Sequence, residues 1–239
     1  MMSYVKFALA LLQIGFVFSA YPPIDKCQLT DSECVKTSAQ KALTSFIDGV
    51  PEFGTEVLDV MNIKKIKFEL AGLKLDLTDS TLKGLKKSII NKIKFNAKKK
   101  QLELILTLED IVLKGHYVAS GRLLILPITG DGILTIKMKK LSVEATMPYD
   151  IVLNAAGKDS INLKSFKFKY DFKETVSFHL TNLFNGNKEL SDAMHFFMNQ
   201  NWKAVVEEFG RPIIQEAYQI IFDSVKKFLS QPVEDIAIV

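Results

Sequence analysis

The sequence predicts an α+β fold in which a strongly bent antiparallel sheet encloses a long C-terminal helix. Three observations support this. A helical run extends from residue 188 to about 231 and carries apolar residues on more than one face. It follows a region, 66–180, in which apolar and polar residues alternate as they do in β-strands. The phase of that alternation slips repeatedly, which is typical of strands that bend and twist. Because a helix that is apolar nearly all round is unstable in water, we expect the sheet to cover it.

The first 20 residues predict a secretory signal peptide. Lys6 precedes an apolar run, 7–18, and the small residues Ser19 and Ala20 follow it. The alternative, a membrane anchor, is disfavoured because about 12 apolar residues fall short of the roughly 20 that span a bilayer. We therefore expect a secreted, extracellular protein in which residues 21–239 form a single ligand-binding domain.

Composition and charge argue against a nucleic-acid-binding protein. The 239 residues are 48% hydrophobic and 24% charged, with a net charge of +4. The lysines mostly alternate with apolar residues, as in 64–74 and 164–173, whereas nucleic-acid-binding proteins gather basic residues on one face. The lysine cluster 98–100 predicts a hairpin loop, and a membrane-surface patch is the alternative interpretation.

The segment after the signal peptide predicts a disulfide and a short helix. Cys27 and Cys34 are close in sequence, and in an oxidising compartment such a pair is expected to form a bridge. The loop is small, so the bridge contributes only about 2.5 kcal/mol in the chain-entropy model. Apolar residues then recur at helical spacing from Val35 to Ile47, and Gly49 fits the end of that helix.

The strand region contains several expected irregularities. Alternation begins at Ile66 and slips at Gly72, where we expect a β-bulge. It slips again between Met138 and Leu141. The glycine-rich triplet 130–132 predicts a turn. Each slip moves the apolar residues of a strand to its other face, so the sheet is expected to bend at these positions.

The final helical run has a predicted start and a predicted kink. Asn187 is a suitable N-cap for its first turn. Pro212 lies inside the run and removes a helical hydrogen bond, so we expect a kink there or two abutting helices.

Motifs for catalysis or cofactor binding are absent from the sequence. It contains no Gly-x-Ser-x-Gly elbow, no His-Glu-x-x-His and no phosphate-binding loop. The histidines His116, His179 and His195 are scattered, and each is more simply a structural residue. We therefore predict a protein that is not an enzyme and that has no cofactor or metal. A secreted hydrolase is the third function class, and no motif supports it.

Several segments together resemble the insect takeout / haemolymph juvenile-hormone-binding protein family. The resemblance spans essentially the whole mature chain. The segments that carry it are the pair Cys27 and Cys34, 49–54, Leu58-Asp59, 121–132, 182–187, 199–202 and 231–232. Val60 stands where the family usually has proline, and the second cysteine pair of the haemolymph hormone carriers is absent. The absence of that second pair places the chain among the takeout-like members.

The resemblance implies an elongated molecule with an internal hydrophobic tunnel. That architecture is shared with tubular lipid-binding proteins of the bactericidal/permeability-increasing type. It implies a secreted carrier for a juvenile-hormone-like terpenoid, a fatty acid or a related lipid. The alternative is a membrane-lipid- or partner-binding surface protein of the same fold without a soluble cargo. It would make transient membrane or receptor contacts and no stable membrane insertion.

We predict that inward-facing strand positions and one helix stripe line the tunnel. Such sites are mostly apolar with a few polar groups. The predicted polar contacts to a ligand come from the hydroxyl groups of Tyr117, Tyr170 and Tyr218. The predicted apolar lining residues are Leu104, Leu106, Leu124, Leu126, Leu134, Ile136, Phe166, Phe168, Phe197, Trp202, Phe209 and Ile213.

Overall fold

The computed structural model describes residues 22–238, and the predicted signal peptide lies outside them. The helices are α1 (Ser32–Ile47), α2 (Lys188–Gln200), α3 (Trp202–Leu229) and α4 (Val233–Ile236). Short 3₁₀ turns span Pro51–Phe53, Leu85–Lys87 and Phe184–Gly186. The strands are β1 (Cys27–Gln28), β2 (Met61–Leu70), β3 (Leu73–Lys83), β4 (Ile89–Asn96), β5 (Gln101–Leu123), β6 (Leu126–Leu153), β7 (Asp159–Leu163), β8 (Lys167–Phe172), β9 (Val176–Leu180) and β10 (Ala237–Ile238).

Two long antiparallel strands, β5 and β6, form the centre of the main sheet. β5 has 23 residues and β6 has 28, and they pair with each other along the whole of β5. The other edge of β5 pairs with β4 and then with β3, which β2 extends. The other edge of β6 pairs in turn with β9, β8 and β7. Because each long strand changes partner along its length, the sheet coils into an antiparallel half-barrel.

The predicted slip between Met138 and Leu141 coincides with one of these changes of partner. Met138 pairs with Val176 of β9, and Leu141 pairs with Phe172 of β8. Lys140 lies between them with a φ of 51°, a left-handed conformation that bends the strand. The slip in the sequence pattern therefore marks a bend in β6.

The type of irregularity is predicted wrongly at two positions, Gly72 and the triplet 130–132. Gly72 does not form a bulge, because Ala71 and Gly72 are the two turn residues of the β2–β3 hairpin, with φ values of 50° and 86°. Positive φ at both positions is what a tight hairpin turn requires. The triplet 130–132 is not a turn either, since it lies inside β6. The actual turn between β5 and β6 is Leu124-Ile125.

The glycines of the triplet serve close packing instead. A Cβ atom on Gly130 would lie 2.4 Å from the Tyr117 hydroxyl oxygen. A Cβ atom on Gly132 would lie 2.4 Å from the carbonyl oxygen of Thr181. The absence of side chains at these positions lets β9 and the residues after it approach β6.

The helices follow the prediction except at the break in the last run. Asn187 caps α2 by accepting a hydrogen bond from the Leu190 amide at 3.0 Å, as predicted. The run is interrupted at Asn201, whereas α3 continues through Pro212. The Asn201 side-chain amide donates to the Phe197 carbonyl oxygen at 2.8 Å and so satisfies the C-terminus of α2.

The core lies between the concave face of the half-barrel and the apolar face of α3. Val205, Phe209, Phe222 and Leu229 are among the buried residues of this helix. Its opposite face, with residues such as Glu208, is exposed. The helix is thus enclosed on the sheet side only, and the α+β fold class predicted from the sequence is confirmed.

Within residues 22–238, no helix combines the length and apolar character needed to cross a bilayer.

Candidate ligand-binding site

Two apolar cavities lie between the sheet and the helices, one beside each half of α3. The proximal cavity, of about 90 Å³, lies beside the N-terminal half of α3 and is also lined by Met198 of α2 and by β2, β3, β5, β6 and β9. The distal cavity, of about 220 Å³, lies beside the C-terminal half of α3 and is also lined by α1, β4 and the first part of β5. Both cavities are lined almost entirely by apolar side chains, which suits a lipophilic molecule.

α1 forms one wall of the distal cavity, and a disulfide and several hydrogen bonds fix its position. The predicted disulfide is present, and Cys27 and Cys34 have their Cα atoms 5.8 Å apart. The Ser38 hydroxyl donates to the Asp25 carbonyl oxygen at 2.7 Å. Gln40 reaches β4, where its side chain accepts from the Ile90 amide at 2.7 Å and donates to the Ser88 carbonyl oxygen at 3.1 Å. These bonds hold α1 over the cavity.

The structure brings six of the predicted lining residues to the cavities. Leu134, Ile136, Phe209 and Ile213 line the proximal cavity. Leu104 and Leu106 line the distal cavity.

The other predicted apolar lining residues lie outside both cavities. Leu124 and Leu126 flank the β5–β6 turn and are partly buried, and Leu123 and Ile128 line the proximal cavity in their place. Phe197, Trp202, Phe166 and Phe168 pack against the core without lining either cavity.

Two of the three tyrosines predicted to contact a ligand donate their hydroxyl groups to backbone carbonyl oxygens of the protein instead. Tyr117 is fully buried and donates to the Thr181 carbonyl oxygen at 2.8 Å. Burial and the charge of Asp131 raise the pKa of Tyr117 to about 12. Tyr170 donates to the Val206 carbonyl oxygen at 3.4 Å. Both tyrosines therefore stabilise the fold rather than present a free hydroxyl group.

Tyr218 is the third tyrosine predicted to contact a ligand, and it lies between the two cavities along α3. Its ring stacks on Phe168 with the ring centres 5.1 Å apart. Burial raises the pKa of Tyr218, and its hydroxyl group makes no hydrogen bond to any residue of the described part of the chain. Tyr218 lines neither cavity, although it lies along α3 between residues that do.

The tunnel implied by the family resemblance corresponds here to two chambers. No residue lines both cavities. On α3, Ile214 lines the proximal cavity and Ile221 the distal one, with Ala217 and Tyr218 between them. We call the two buried residues between the chambers, Ala217 and Tyr218, the septum.

The sequence reasoning missed the contribution of α1 and of the segment before it. Val35, Ala39, Leu43 and Phe46 of α1 line the distal cavity, together with Ile24. The signal was available, because the periodicity of this helix shows an apolar face that needs a partner. Which part of the sheet it covers is not visible in the local pattern.

α2 is held against β9 by side-chain hydrogen bonds to the strand backbone. Asn199 accepts from the Phe178 amide at 2.8 Å and donates to the Phe178 carbonyl oxygen at 3.1 Å. His195 Nε2 accepts from the Leu180 amide at 2.9 Å. Because Met198 of α2 lines the proximal cavity, these bonds position one wall of that cavity.

The His195 contact should make stability depend on pH. Burial and the nearby charge of His179 hold the pKa of His195 below its usual range, although Asp192 opposes them. The group therefore stabilises the fold above about pH 6.5, and this contribution is lost as the pH falls through the folded-state pKa. We expect the free energy of unfolding in denaturant titrations to fall less between pH 7 and 5 in His195→Gln, whose side chain can still accept from Leu180. Identical pH profiles for the two proteins would contradict this role.

Comparisons with known proteins agree with this geometry. Residues 7–236 match the model of the haemolymph juvenile hormone binding protein family. The circadian clock-controlled proteins daywake of Drosophila yakuba and Drosophila melanogaster are each 28% identical over 218 residues, which cover 87% of this chain and 83% of theirs. The crystal structure of Takeout 1 from Epiphyas postvittana superposes with a TM-score of 0.88 at 45% identity, over 90% of this chain and 100% of that one.

Proposed function

Because this chain belongs to the haemolymph juvenile hormone binding protein family, we propose that it is a secreted carrier that sequesters a lipophilic small molecule along the inner face of α3. The family and the fold are those of binding or carrier proteins. The observation that carries the proposal is the pair of apolar chambers between α3 and the sheet. The Cys27–Cys34 disulfide supports an oxidising, extracellular location.

The chemistry of the lining narrows the class of ligand. Every side chain that lines the proximal cavity is apolar. The distal cavity adds Asp25 and Ser38, and Asp25 is paired with Lys41 at 3.0 Å. No lysine or arginine lines either cavity, so a carboxylate buried there would have no positive partner. This favours a neutral terpenoid or ester, or a fatty acid whose carboxylate remains at the surface.

Apolar burial alone can supply the affinity. Each buried methylene group contributes about 0.8 kcal/mol, so a ligand of ~15 carbons could gain about 12 kcal/mol before the entropy costs of binding. A molecule of that length would occupy both chambers and would pass Ala217 and Tyr218.

Mass spectrometry of organic extracts tests the proposal directly. We expect protein purified from its native source to release a lipophilic molecule in stoichiometric amount, and the delipidated protein to take up a fluorescent fatty-acid probe. A protein that releases nothing and takes up no probe would contradict the carrier function. Binding to liposomes without a retained ligand would support the alternative of a surface protein.

Filling the septum between the chambers should separate long ligands from short ones. Ala217→Phe adds a ring where both chambers approach each other, and overpacking at such a site costs about 1–3 kcal/mol. We expect the affinity for a long-chain fatty-acid probe to fall about tenfold, equivalent to ~1.4 kcal/mol, and that for a short-chain probe to change little. Ala204→Phe is the matched control, because Ala204 is exposed on the same helix. Equal losses for both probes would show that the chambers do not act together.

A further inference from the structure

A second concave site lies on the outside of the molecule, between β8 and the polar face of α3. This outer groove has a volume of about 1150 Å³. The helix side is formed by residues spaced by three or four positions. Four of them are polar and exposed, namely Arg211, Gln215, Gln219 and Lys226, and the fifth, Phe222, is buried. These 15 residue steps correspond to about 22 Å of helix, the length of six or seven residues of extended chain.

The strand side of the outer groove is a free sheet edge. β8 pairs with β6, and no other described strand pairs with it. Lys167, Phe168 and Lys169 are consecutive and all line the groove, so the groove includes the edge of β8. It also extends to Glu144 and Thr146 of β6, the cross-strand neighbours of Lys169 and Lys167. The backbone groups along such an edge can pair with an additional strand.

The charge of the outer groove is unbalanced. It contains five cations, Lys164, Lys167, Lys169, Arg211 and Lys226, against the carboxylates Glu144 and Asp223. Lys164 forms an ion pair with Asp150 at 3.2 Å, and Asp150 also pairs with Lys100 at 3.1 Å. In residues 22–238, no carboxylate forms an ion pair with any of the other four, and this holds even for Lys169, whose cross-strand neighbour is Glu144. The groove is therefore suited to an acidic partner.

The floor of the outer groove is aromatic. Phe166 and Phe222 lie with their ring centres 4.9 Å apart. The Arg211 guanidinium carbon lies 5.1 Å from the centre of the Phe168 ring, a cation–π contact that holds the charge over the floor. Lysines on an edge strand also discourage aggregation, but that role does not account for the cations on the opposite wall or for the aromatic floor.

We propose that the outer groove binds an extended acidic segment of a partner protein, which adds as a strand to the free edge of β8. Its acidic side chains pair with Lys167, Lys169, Arg211 and Lys226, and an apolar side chain rests on Phe166 and Phe222. The groove is concave, so a flat bilayer does not reach its floor. This binding does not depend on the internal cargo, and the two functions can fail independently.

Fluorescence anisotropy with a designed probe tests the proposal. The probe is the labelled peptide Glu-Val-Glu-Phe-Glu-Val-Glu, and its control is Lys-Val-Lys-Phe-Lys-Val-Lys. We expect saturable binding of the acidic peptide alone, together with slower hydrogen exchange of the amides of 167–172. The affinity should fall at least about tenfold in the double variant Lys167→Glu/Lys169→Glu. Lys98→Glu/Lys99→Glu, on the exposed β4–β5 turn, should bind as the wild type does.

Several results would overturn the proposal. These are no binding of the acidic peptide, equal binding of both peptides, or an affinity that the groove substitutions do not change. Binding of phosphatidylserine vesicles that depends on Lys167 and Lys169, without peptide binding, would assign the groove to lipid instead. Self-association lost in the same variant would assign it to a second copy of the chain. Uptake of the fatty-acid probe by each variant shows that the variant is folded.

Discussion

Leu106→Trp is expected to remove most binding of a fluorescent fatty-acid probe. Leu106 lines the distal cavity from β5, and an indole ring there would occupy much of its roughly 220 Å³. Because the ring fills an existing space, the cost to stability should stay at the low end of the 1–3 kcal/mol typical of overpacking. We expect the affinity measured by fluorescence titration to fall at least about tenfold, equivalent to ~1.4 kcal/mol.

The neighbouring position supplies a matched control. Ile105 lies next to Leu106 in β5, so its side chain points to the opposite face of the sheet, and it lines neither cavity. Ile105→Trp adds the same ring to the same strand and should leave the affinity unchanged. The proposed site would be wrong if Leu106→Trp and the proximal substitution Ile136→Trp both bound the probe as the wild type does.

Gly121→Ala is expected to cause a large loss of stability. Gly121 has a φ of 106°, and a Cβ atom there would lie 2.1 Å from the carbonyl oxygen of Gly72. That oxygen also accepts the Arg122 amide at 3.0 Å, so the β2–β3 and β5–β6 hairpins meet at this point. Backbone strain of about 1–3 kcal/mol and a clash with main chain together should cost at least about 3 kcal/mol. For a domain of this size the melting temperature should fall by about 6–12 °C.

Gly157→Ala separates the cost of a positive φ from the cost of a clash with main chain. Gly157 also has a positive φ, 74°, but nothing lies within 4 Å of the position its Cβ atom would take. The substitution should cost only the left-handed conformation, about 1–2 kcal/mol. If the two variants melted at the same temperature in calorimetry, the close approach of Gly121 to Gly72 would not matter for stability.

The proposed carrier function and the outer groove use opposite faces of α3. Phe209 and Ile213 point into the proximal cavity, whereas Arg211 and Gln215 line the outer groove. A single helix can therefore hold a cargo on one side and present charge to a partner on the other. Phe168, which lines the outer groove, stacks on the buried Tyr218 of α3 with the ring centres 5.1 Å apart.

The local sequence pattern predicted the structure correctly wherever a residue's contacts lie within a few positions of it in the chain. The spacing of apolar residues in α1, the Asn187 cap and the Cys27–Cys34 bridge all depend on contacts within a few residues, and the structure has each of them. The alternation of 66–180 likewise predicted a bent antiparallel sheet, because one apolar face repeats every second residue.

Long-range contacts decided the rest. The sequence by itself determined that a bent antiparallel sheet precedes a long apolar helical run, since this follows from local periodicity. Only the tertiary structure decided that Leu124-Ile125 forms the turn while Gly130 lies inside a strand, because the requirement for glycine comes from Tyr117, which is distant in the chain. It also decided that the two cavities lie beside different halves of α3, because a cavity is the space left between elements whose distances no local pattern fixes.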